Sequence, residues 1–174
     1  MLRRVMMAGV GAPSVGITAR AYRIQIPRRS PGPSGTTAAG YMNFLCGLAA
    51  MPGGSNVAAN GSGALVSGAT AAASSSFSAT FNAAAGWGAE RDGTGDFWHS
   101  ANQSAPWWIS VDFGSGNTMT VRELYITPKN TLPDARTPAE FYLQTSDNGT
   151  TWADALHVTG ITGWSLGVEK AWPL

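Results

Sequence analysis

Along PWWISVDFGSG (106–116) apolar side chains fall at every second position. Trp107, Ile109, Val111 and Phe113 share one face, and Trp108, Ser110 and Asp112 share the other. Successive side chains of a strand point to opposite faces, so this spacing predicts a strand with one face in a core. AYRIQIP (21–27) alternates in the same way and is expected to be the first strand of the domain, stopped by Pro27. TMTVRELYITPKN (118–130) reads as a further strand, closed by Pro128. AEFYLQTSDNGTTW (139–152) reads as another, with Phe141 and Leu143 inward. Its SDNGTTW ending predicts a hairpin, because Asn148-Gly149 supplies the positive φ values of a tight turn. WADALHVTG (152–160) then begins the return strand, and GWSLGVEKAWPL (163–174) holds the last. YMNFLCGLAAM (41–51) fits a strand or a short helix, and periodicity does not decide between them.

Residues 52–76 are low in complexity, with too few large side chains for a core, and are read as loops with one short edge strand. Short strands at near-regular spacing, abundant turn residues and few helix signals predict an all-β chain, an antiparallel β-sandwich or jelly roll. No internal repeat is visible, and 174 residues suit one domain with a short arm. The arm is assigned to residues 1–21 and the sandwich to 22–174. Ala19-Arg20-Ala21 matches a secretory cleavage pattern, but Gly9, Gly11, Pro13 and Gly16 break the apolar stretch before it, so a docking segment is the favoured reading. No run approaches the roughly 20 apolar residues of a membrane-spanning helix.

Charged residues make up only 12% of the chain and the formal net charge is +1. No basic field is available to attract nucleic acid, so that class of partner is set aside. The single cysteine, Cys46, excludes an intrachain disulfide and sits in an apolar setting that suits a small buried hydrophobe.

Several stretches taken in order carry a family likeness: ASSSFSATFNAAAGWGAERDGTGDFWHS (73–100), PWWISVDFG (106–114), VRELYITP (121–128) and TPAEFYLQTSDNGTTW (137–152). The series resembles the discoidin, or coagulation-factor C-type, family of galactose-binding-like β-sandwiches. With YRIQI at the start and VEKAWPL at the end, the compact layout is similar to the version found in bacteriophage structural proteins. The resemblance covers about residues 22–174, is densest from Trp98 to Trp152, and is weakest between Pro27 and Ser74. It implies a core role for Trp98 and Trp152. The family's A-F-D-G is replaced here by AERDG, one residue out of register. Many members hold calcium in that loop, and the resemblance implies Asp92, Thr94, Asp96 and Glu169 as oxygen ligands for a structural Ca2+. Capping of a turn by the same groups is the competing reading, and no other cofactor is implied.

Catalysis finds little support. His99 and His157 are the two histidines, and no nucleophile-elbow, zinc-protease or phosphate-loop pattern occurs. Sugar binding needs aromatic faces for C–H stacking and planar polar groups for hydroxyls. The loop residues that supply these are Trp87, His99, Asn102, Arg136 and Trp164, with Trp108 beside them. For each a plainer role competes: Trp87 covering the end of the sandwich, His99 a satisfied surface histidine, Arg136 paired with Asp134 or Glu140. The expectation from the sequence is therefore a non-catalytic virion protein (tail fibre, tail tip or capsid decoration). It would be homo-oligomeric, docked on other virion proteins through its arm, and would present a surface for host glycans. The alternatives are a secreted, extracellular carbohydrate-binding module and a spacer domain with no ligand.

Overall fold

The computed structural model describes residues 5–6, 15–30, 35–88, 97–129 and 135–174. Their strands are β1 (Val5–Met6), β2 (Ile17–Ala19), β3 (Ala21–Arg29), β4 (Asn43–Ala49), β5 (Thr70–Ala73), β6 (Trp98–His99), β7 (Trp107–Asp112), β8 (Met119–Val121), β9 (Glu123–Pro128), β10 (Pro138–Ser146), β11 (Ala153–Val158) and β12 (Lys170–Pro173). They form two five-stranded sheets, ordered β1-β12-β9-β4-β6 and β11-β10-β3-β7-β5, with β2 and β8 pairing separately. Every pairing is antiparallel except β1 with β12. The fold is the expected all-β sandwich.

The alternation read from the sequence builds the core. Ile24 lies opposite Ile109, Tyr22 opposite Val111 and Ile26 opposite Trp107, all without exposed surface. Phe44, Cys46, Leu48, Leu124 and Ile126 close the same core from the facing sheet. Phe141 and Leu143 point into it as expected, and Phe113 and Trp98 join it. Burying this much aliphatic and aromatic surface is the main force holding the sheets together. Cys46 is fully buried in β4, where desolvation raises its pKa well above the ordinary thiol value.

Four expectations are corrected. β3 runs through Pro27 to Arg29, because Pro27 lies past the end of β7 and within the register shifts of the β3–β10 ladder, where a missing N–H costs little. Only Gly149 has positive φ in the hairpin. Asn148 instead accepts the N–H groups of Thr150 (2.9 Å) and Thr151 (2.8 Å) through its carboxamide oxygen, a side-chain turn. Trp152 is half-buried outside the core, under the Arg23 guanidinium at 4.5 Å. Residues 83–88 form a short helix, α1 (Ala83–Gly88), with the Asn82 side chain accepting the Ala85 N–H at 3.0 Å as its N-cap.

Residues 17–21 are joined to the sandwich. β2 pairs with β8, and Arg20 donates two hydrogen bonds of 2.8 Å to the carboxylate of Asp112. The Arg20 hydrogen bonds, with a further one from the Gly114 N–H, lower the Asp112 pKa below its ordinary 3.8. A depressed carboxylate pKa stabilises the fold above the unfolded value, and this stability is lost as pH falls through the folded value. Asp112→Asn is therefore expected to melt earlier than the parent at neutral pH, with the gap closing below about pH 4. Melts across pH 2–8 check this; a gap unchanged at low pH would exclude the charged pair as its cause.

Candidate functional site

One end of the sandwich gathers residues 35–41, the turn that follows β6 and the residues just ahead of β10. Asn43 and His99 are register partners on β4 and β6, so their side chains share a face, as Phe44 and Trp98 share the opposite, inward one. Asn43 and His99 therefore point away from the main core. Leu45, Tyr125 and Ala171 form a second cluster on this outer face, with Phe97 against it. Thr127, the register partner of Leu45, belongs to the same face.

Four polar atoms of these three neighbours are buried without hydrogen-bond partners: Asn43 Oδ1 and Nδ2, Thr127 Oγ1 and His99 Nε2. Asn43 is 1% exposed and Thr127 fully buried. Buried polar side chains are normally satisfied, and each one left unpaired costs free energy. These atoms have essentially no accessible surface, so a ligand would meet them only if the side chains covering them moved.

Aromatic rings line the same place. His99 stacks on Phe77 at 4.7 Å between centroids and 16° between planes, and Tyr41 meets the imidazole edge-on at 5.3 Å. Phe81 stacks on Phe97 at 4.7 Å. The segment carrying Phe77 and Phe81 is laid on β6 by hydrogen bonds from Phe77 N to His99 O and from His99 N to Phe81 O. Phe77 is 57% exposed, a large apolar face open to solvent. The Arg136 guanidinium lies over Tyr41 at 5.2 Å, and the Arg136 carbonyl accepts the Asn43 N–H at 2.8 Å. Burial first, and the charge of Arg136 second, lower the pKa of His99, so its imidazole is neutral at physiological pH.

The rim is braced from below. Arg29 donates to the carbonyls of Ser30, Ala38, Ala39 and Ala135, tying residues 38–39 to Ala135 ahead of β10. Gly40 fits against that guanidinium so closely that an added Cβ would stand 2.5 Å from Arg29 Nε. Gln103 pairs with Gly40 through both backbone groups, which holds the 100–106 turn, including exposed Asn102, beside them.

Three sequence candidates thus meet at one end: His99, Asn102 and Arg136. Trp87 does not join them as a platform. It lies in α1 with no exposed surface, drawn into the core by the helix that the run FNAAAGW forms. Trp164 is also buried, 3% exposed, and its indole N–H donates to the Pro138 carbonyl at 2.9 Å. Trp108 is half-buried on the outer face of the other sheet, with Arg23 at 5.9 Å. Asp92, Thr94 and Asp96 lie outside the described residues. Glu169, the fourth oxygen ligand implied for calcium, is 4% exposed and engaged in interactions of its own. Among the described residues no group of three or more His, Cys, Asp and Glu converges on a common point.

Sequence reasoning missed Tyr41, Asn43, Phe77 and Thr127. Phe77 had a signal, a lone aromatic in a serine run; Asn43 and Thr127 sit in apolar strands where a polar residue stands out.

Among known proteins, the family model for the F5/8 type C domain matches residues 70–169. No curated protein and no solved structure gives a significant match to the chain. Among the described residues no helix is long and apolar enough to cross a membrane.

Proposed function

The chain belongs to the F5/8 type C (discoidin) domain family, and from that premise we propose that it is a non-catalytic binding module holding a glycan at the loop end of its sandwich. The observation that carries this reading is the exposed face of Phe77 stacked on His99, with the polar side chains of Asn102 and Arg136 at the same end. Hydroxyls hydrogen-bond both ways and sugar C–H faces stack on rings, so one ligand class answers both features. The test is retention of the purified full chain on immobilised glycans. Binding to a defined glycan class supports the reading, and a cooperatively folded protein that binds none overturns it.

The setting we propose is a bacteriophage virion, in a tail fibre, tail tip or capsid decoration, with host-surface glycan as ligand. The part of residues 1–21 that does not pair with the sandwich would dock on neighbouring virion proteins within a homo-oligomer. Support comes from the ordered strand series and from a surface poor in charge. Electron microscopy of the native particle tests it: symmetric copies with the arm against neighbours sustain the proposal. A free monomer starting near Tyr22 would replace it with a secreted module.

Calcium belongs to the same proposal. Asp92, Thr94, Asp96 and Glu169 offer three carboxylates and a hydroxyl, hard oxygen donors that suit this cation. Metal that binds only the folded state raises its stability. Calcium is expected to raise the melting temperature of chelator-treated protein, and Glu169→Gln to abolish that rise; equal melts with and without calcium would remove it.

A further inference from the structure

We propose that the loop end takes a sugar bearing a carboxylate, with Arg136 as its counter-charge. This rests on the glycan reading of the same site and narrows it. The other described arginines have polar partners: Arg20 on Asp112, Arg23 on Gln144, Arg28 on Glu140, Arg122 on the Ala50 carbonyl, and Arg29 on its four carbonyls. Among the described residues Arg136 makes neither an ion pair nor a side-chain hydrogen bond, and its guanidinium lies over the Tyr41 ring. Glu140, one of the partners its sequence position allows, is occupied by Arg28 at 3.4 Å and His157 at 2.9 Å.

A guanidinium seated on an aromatic face keeps its fork of N–H donors free, and that fork matches a carboxylate bidentately. Among the described residues, the candidate groups gathered with it carry no charge to compete. Asn43, Thr127 and Asn102 are neutral, and burial together with Arg136 keeps His99 neutral as well. One fixed cation among neutral hydrogen-bonding groups and a ring face describes a ligand with one carboxylate, several hydroxyls and an apolar C–H face. A neutral sugar would satisfy the hydroxyl partners and leave the covered guanidinium unpaired, which costs affinity.

The test is calorimetric titration of the full chain with two matched pairs: oligogalacturonate against a neutral oligogalactoside, and sialyllactose against lactose. The acidic member of at least one pair is expected to bind roughly tenfold tighter, the worth of one charge-assisted contact, with the advantage shrinking in high salt. The pair that responds identifies the acid as a uronate or a sialic-type sugar. Arg136→Gln is expected to erase the difference by weakening the acidic sugar, with the melting temperature unchanged. Arg136→Lys, which keeps the charge without the fork, is expected to retain part of it and serves where Arg136→Gln melts early. Equal affinity for acidic and neutral sugars, with both variants silent, overturns the proposal and leaves glycan binding standing. A folded protein that binds neither series overturns the glycan reading and this proposal with it.

Discussion

Trp98→Ala is expected to cost about 3–5 kcal/mol of folding free energy and to lower the melting temperature by roughly 10 °C. The indole has no exposed surface, meets Phe44 edge-on at 5.3 Å, and donates its N–H to the Ser75 carbonyl at 2.8 Å. Truncation therefore empties a cavity and strips a partner from a backbone acceptor. The surroundings cannot close the gap, because β6 is held in register by β4 and α1 already presses on the site. A Cβ added at Gly86 would stand 2.7 Å from the Trp98 Cβ. Differential scanning calorimetry decides: a shift of less than about 3 °C would mean that the ring is not a core element.

Phe77→Ala is expected to do the reverse, leaving the melting temperature nearly unchanged and weakening glycan binding at least tenfold, about 1.4 kcal/mol or more. More than half of the Phe77 surface faces solvent, so little burial is lost on truncation. Its ring carries the stack on His99 and offers a strongly exposed aromatic face at this end. Trp108→Ala is the internal control, since that ring lies on the outer face of the other sheet and glycan affinity is expected to survive its removal. The protonation state of His99 sharpens the reading. Its lowered pKa keeps the imidazole neutral through the range where an ordinary histidine gains a proton near pH 6.5. Affinity is thus expected to hold flat through that range and to change only at lower pH. Loss of binding in Trp108→Ala, with Phe77→Ala unaffected, would move the site to the other sheet.

Much of the fold was legible because strand alternation is a strong signal. Trp107, Ile109 and Val111 declared their faces, and the structure pairs them with Ile26, Ile24 and Tyr22. Asn148-Gly149 marked its hairpin correctly, but the turn is made by the Asn148 side chain rather than by its own positive φ. Other features depended on distant partners. YMNFLCGLAAM was undecidable alone because β4 is buried on both faces, and two-sided burial erases the alternation. Pro27 stopped the strand on paper but not in space, since its missing N–H falls where no partner needs it. The site divided along the same line. His99, Asn102 and Arg136, chosen by chemistry and turn position, lie together at one end. Trp87 and Trp164 were equally good by chemistry and failed because packing, which one sequence does not display, drew them inward. Asn43 and Thr127 went unread because they gain meaning only through the register that sets Asn43 next to His99 and Thr127 on the same face of β9.

The salt link of Arg20 to Asp112 and the β2–β8 pairing sit at the end of the sandwich opposite Arg136, Phe77 and His99. A domain held through the residues before Ile17 and gripping a ligand at its loops would thus be pulled along its long axis. The nine-residue strands β3 and β10 span about 30 Å of that axis. Their hydrogen bonds lie across the strands, so tension loads many rungs together in shear instead of opening them one at a time. If the proposed loop site and a tether ahead of Ile17 both hold, this geometry would make the domain a stiff mechanical link, suited to transmitting force between an anchor and a surface.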